Sequence, residues 1–131
     1  METVDGLRMF EGVIGAYYLV FGVDGFLKKI PLPVPSERGL RFLIAIEQAG
    51  YILLVVKIIE IIVGLSWLSG FGGGLAWILF TPVWFNILAY HLWLNKKERA
   101  LPVFLLLSHL LLAFKYHDFL LTVTRLGLPG L

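Results

Sequence analysis

Four runs of about twenty largely apolar residues, at 7–27, 51–68, 75–94 and 101–121, occupy most of this 131-residue chain. A bilayer core needs about 20 residues of helix to cross, and backbone polar groups in hydrocarbon must be satisfied within the segment. The runs therefore predict four membrane-spanning α-helices in one domain, an all-α integral membrane bundle. Composition agrees: 59% of residues are hydrophobic and 15% charged, against about 45–50% and 25% in soluble domains. The opening METVDGLR is not basic, and no small-residue cleavage site follows it, so 7–27 reads as a retained span rather than a signal peptide.

The connections differ in kind. Pro31, Pro33 and Pro35 alternate after the first run and dictate an extended crossing. Ser36 then reads as an N-cap, with Glu37 in the first turn of a short amphipathic helix over 36–48. That helix is too short and too charged to span, and is expected on the membrane surface. SGFGGG turns the second run into the third, and NKKER separates the third from the fourth.

Loop cations set orientation. Lys28, Lys29, Arg38, Arg41, Lys96, Lys97 and Arg99 lie on one side, and Arg8, Lys115 and Arg125 on the other. The positive-inside rule places the first group in the cytoplasm and both termini outside, as in a bacterial inner membrane. The basic residues are spread through loops, so the net charge of +2 predicts no nucleic-acid partner. The bilayer itself is the first partner. With no cysteine, the chain has no thiol chemistry and no thiolate metal site of its own.

The charges inside the runs carry the functional question. Lys57 and Glu60 stand three residues apart in VKIIEIIVG. Each costs about 2.5–3.5 kcal/mol at a span centre, which offsets most of what the apolar residues of that run return. At this spacing the two share a helix face and can neutralise each other. Such a pair either serves assembly of the bundle or marks a ligand site or ion pathway. Counted along the helices, Lys57 and Glu60 lie roughly 9 and 13 Å from the cytoplasmic end, and Asn86, His91 and His109 roughly 12, 5 and 12 Å. Asp24 and Lys28 sit where the first run leaves the membrane. Polar residues thus concentrate in the cytoplasmic half, where Lys57, Glu60, Asn86 and His91 are expected around one pocket, with Asp24, Lys28 and His109 secondary. The opposite half offers little beyond Glu11, Ser66 and Ser69. His91 and His109 differ in depth by roughly 7 Å, which argues against a shared haem. No metal-ligand set, nucleophile–base pair or phosphate loop is legible, so no catalytic residue is assigned and an autonomous enzyme is the weakest reading.

The order Gly25-Phe-Leu-Lys28, the prolines, Gly50-Tyr51, Lys57-x-x-Glu60-x-x-x-Gly64, Pro82-x-x-x-Asn86-x-x-x-x-His91 and Tyr116-x-x-Phe119 resembles the DoxX-like family of small membrane proteins. The resemblance implies a four-helix membrane bundle and a link to redox systems, since the family takes its name from a subunit of a thiosulfate:quinone oxidoreductase. The expected role is then an accessory or anchoring subunit, with other membrane subunits or further copies of itself as partners. Its pocket would hold a quinone or lipid head group, without a covalent cofactor. A proton-coupled carrier and a membrane assembly factor are the alternatives. The carrier is disfavoured by the lack of an internal repeat that could rock for alternating access.

Overall fold

In the computed structural model, which describes residues 2–127, the chain is all-α. Its helices are α1 (Glu2–Leu27), α2 (Glu37–Gln48), α3 (Tyr51–Ser69), α4 (Gly73–Ala89), α5 (Ala100–Lys115) and α6 (His117–Gly127). A wide π-type turn, Tyr90–Leu94, continues α4. The segments Val4–Leu27, Tyr51–Ser69 and Gly73–Leu94 are each long and apolar enough to cross a membrane.

The fourth run departs from expectation. Instead of one helix over 101–121, the chain breaks at Tyr116 and α6 leaves α5 at 71°. No proline or glycine causes this. The break is held by tertiary contacts of Lys115 and Tyr116, described below. The first helix, in turn, starts about a turn before residue 7, at Glu2.

The closest packing is between α1 and α3, which run antiparallel. Gly15 and Gly64 meet at their crossing. A Cβ on Gly64 would stand 2.6 Å from the Leu19 amide nitrogen and 2.8 Å from the Gly15 carbonyl oxygen. These are backbone atoms and cannot move aside, so only glycine permits the approach. Behind this seam, Tyr18, Trp67 and Phe80 form an aromatic core from α1, α3 and α4, with centroids 4.4–5.9 Å apart. Ile14, Val63, Leu105 and Leu112 fill the rest, so α1, α3, α4 and α5 share one core. The outward faces stay apolar: Leu54, Val55, Ile58, Ile62 and Leu65 of α3 are all exposed. In water that surface would be a liability. It is compatible with hydrocarbon surroundings.

At one end, α2 is clasped to the end of the π turn. Ser36 caps α2 as the sequence predicts: its Oγ accepts from Gly39 N–H at 3.1 Å. The same hydroxyl donates to the Leu94 carbonyl at 2.6 Å, and the Ser36 N–H donates to Oδ1 of the buried Asn95 at 2.9 Å. One serine therefore satisfies a helix N-terminus and a helix C-terminus together. Ser36→Ala is expected to cost about 1–2 kcal/mol and to speed amide exchange at Gly39 selectively. Unchanged protection of that amide would refute the clasp.

Candidate functional site

Glycines on α1 make a slot for the charged pair of α3. A Cβ on Gly22 would come within 3.1 Å of the Glu60 Cβ, and one on Gly25 would collide with the Lys57 side chain. The lysine stem lies in the space left by Gly25. Its Nζ reaches Glu60 Oε2 at 2.7 Å and the Phe21 carbonyl oxygen at 3.4 Å. Glu60 is 4% exposed, whereas the Lys57 side chain keeps 25%. The pair is thus a buried acid beside a partly open cation. One ammonium N–H remains free, and Oε1 of Glu60 accepts no hydrogen bond among the described residues.

Asn86 and His91 do not join this pair by hydrogen bonds. Asn86 lies exposed on α4, and its Nδ2 donates to the Pro82 carbonyl of its own helix at 2.8 Å. His91 lies in the π turn and lines a separate hollow against α5, with its Nδ1 buried and unpartnered. Counted depth puts all four residues in the same half of their helices, but depth does not fix azimuth. An extra residue in the π turn also rotates everything after Ala89.

Asp24 and Lys28 build the exit from α1. Lys28 takes a positive φ of 51°, which ends the helix. The Asp24 Oδ1 then accepts the next two amides, Lys29 N–H at 2.8 Å and Ile30 N–H at 3.0 Å. Lys28 Nζ meets the exposed Glu47 of α2 at 3.0 Å. Both residues have structural work and do not reach the Lys57–Glu60 pair.

His109 is 4% exposed and lies between two indoles, Trp77 at 4.5 Å and Trp84 at 4.1 Å, nearly parallel to both. Its Nε2 is 3.2 Å from Thr81 Oγ1. The indole N–H groups of Trp77 and Trp84 donate to the carbonyls of His109 and Leu105. The histidine is the stacked rung that fastens α5 to α4. The two tryptophans belong to this ladder.

The end expected to be almost without polar groups holds the densest knot. Glu11 is 1% exposed. Its Oε2 accepts from Arg8 Nη1 at 3.1 Å and from Lys115 Nζ, and its Oε1 accepts from the Tyr116 hydroxyl. Arg8 continues to the carbonyls of Trp67 and Leu68, each at 2.8 Å, and Trp67 Nε1 donates to the Gly73 carbonyl. One buried carboxylate therefore ties α1 to α5, while Arg8 ties α1 to the end of α3. This knot also fixes the break at Tyr116. Its sequence signal was the Arg8–Glu11 spacing facing Lys115 and Tyr116 at the far end of an antiparallel run.

Compared with known proteins, the chain matches no family model, no curated protein and no solved structure. The DoxX-like reading therefore rests on the motifs quoted above.

Proposed function

We propose that the chain is an integral membrane four-helix bundle that serves as an accessory or anchoring subunit of a quinone-linked redox system. In this reading α1, α3, α4 and the broken α5–α6 pair cross the bilayer, and α2 lies on its cytoplasmic surface. The observation that carries the reading is the Lys57–Glu60 pair in its glycine slot. It retains one free donor and one free acceptor side by side within an apolar surface. A quinone carbonyl could accept from the ammonium, and the hydroxyl of the reduced quinol could donate to the carboxylate. A cation alone would favour only the oxidised head group. The pair suits both.

Asn86 favours a partner. An amide facing outward from an apolar helix is poorly served by lipid and well served by a neighbouring helix. The same feature supports the second reading, an assembly factor that recognises partner helices through α4.

Glu60→Gln is expected to leave folded protein in the membrane while weakening binding of a short-chain benzoquinone about ten-fold or more, the loss of a charged hydrogen-bond partner. Lys57→Met/Glu60→Leu should fold as well as the parent, since a buried ion pair exchanges for apolar residues at little cost. It should still fail to bind the quinone. A fully active double variant would sink the site. Purification from native membranes tests the role: redox subunits should co-purify, and a chain isolated alone would overturn the accessory assignment.

A further inference from the structure

The π turn at the end of α4 opens a hollow against the start of α5, of about 430 Å³. Its walls include Leu92, Val103 and Leu106, all exposed to the surroundings. Its rim carries Lys96 and Arg99, which form no ion pair among the described residues, with Glu98 as the single acid. We propose that this hollow binds one anionic phospholipid, with its phosphate between Lys96 and Arg99 and one acyl chain along Leu92, Val103 and Leu106.

Two features select that occupant. The rim has an excess of cations at the helix ends, where a phosphate in the same leaflet would lie. The walls beneath are hydrocarbon and would contribute nothing to a free phosphate. A zwitterionic lipid would fill the walls equally well but bring a third cation to a rim that already holds two. A cation near an anionic membrane surface is worth about a five-fold preference, so two cations against one acid predict about five-fold for an anionic over a zwitterionic lipid. The proposal rests on the membrane placement above, not on the redox role or on the Lys57–Glu60 pair.

The test is thermal unfolding of the purified full chain in micelles, titrated with phosphatidylglycerol, phosphatidylcholine or inorganic phosphate. Phosphatidylglycerol should raise the midpoint at about five-fold lower concentration than phosphatidylcholine, and phosphate alone should do nothing. Lys96→Gln/Arg99→Gln should abolish the preference. Arg38→Gln/Lys97→Gln removes the same charge from the neighbouring surface and should preserve it. Should the first variant not fold, native mass spectrometry of the parent decides, with phosphatidylglycerol adducts surviving longer than phosphatidylcholine adducts. Equal response to the two lipids, a response to phosphate alone, or equal loss in the control variant would each overturn the proposal. Release of the chain from native membranes by alkaline carbonate would overturn the membrane reading and this proposal with it. Retention with equal lipid responses would overturn this proposal alone.

Discussion

Glu11→Leu is expected to destabilise the folded protein by about 3 kcal/mol or more, the lower end of what breaking a buried ion pair costs. The carboxylate is almost fully buried and accepts from Arg8, Lys115 and Tyr116 at once. Without it the three donors suffer unequally. Arg8 keeps the Trp67 and Leu68 carbonyls, whereas Lys115 has no other hydrogen-bond partner among the described residues. The penalty should therefore fall mainly on Lys115. Glu11→Leu/Lys115→Leu is expected to recover more than half of the loss, and Tyr116→Phe alone should cost about 1.5–3 kcal/mol. Unfolding in mixed micelles, arranged as a double-mutant cycle, measures both. A Glu11→Leu protein within about 0.5 kcal/mol of the parent would show that the knot contributes nothing.

Gly64→Ala is expected to destabilise the fold clearly, although it adds a single methyl group. The Cβ itself is the clash, at 2.6–2.9 Å from Leu19 and Gly15 backbone atoms, so the helices must separate to admit it. Loss of about 1–3 kcal/mol is expected for alanine, and failure to form a monodisperse protein for leucine. Separation would act on the polar slot too, because Lys57 reaches the Phe21 carbonyl across the same seam. If the proposed quinone site holds, Gly64→Ala should thus weaken binding and stability together, whereas Glu60→Gln should affect binding with stability retained. A leucine variant that unfolds like the parent would refute the close crossing.

Much of the architecture was legible because it is local. The apolar runs, the Ser36 cap and the Lys57–Glu60 pair all follow from spacings of a few residues. Among the small residues of α1, Gly12, Gly15 and Gly22 suggest a close-packed side by spacing, yet only Gly15 and Gly22 face α3, and Gly12 does not. What could not be read were azimuths. In a helix that is apolar all round, hydrophobic periodicity no longer separates core from lipid, so Asn86 looked as inward as Glu60. The Glu11 knot was hidden by distance along the chain, its partners lying 104 and 105 residues away. The break at Tyr116 has no local signal, since residues 113–118 would be acceptable helix in another setting. The π turn was equally silent, and it carried His91 away from the pair.

In the membrane placement proposed above, the break also limits the thickness of bilayer that fits. Helix α5 has 16 residues, a rise of about 24 Å, against about 30 Å for an average hydrocarbon core. With α6 turned away at 71°, its 11 residues add only about 5 Å along the α5 axis, so the pair just reaches across. In a bilayer any thicker, lipids around this pair would have to compress, at a fraction of a kcal/mol per Å. Neighbouring α1 is long enough to lean, so the strain would be one-sided and would draw short-chain lipid to a single flank. Such a protein carries its sorting information in a mismatch, and it should accumulate in the thinner of two coexisting membranes.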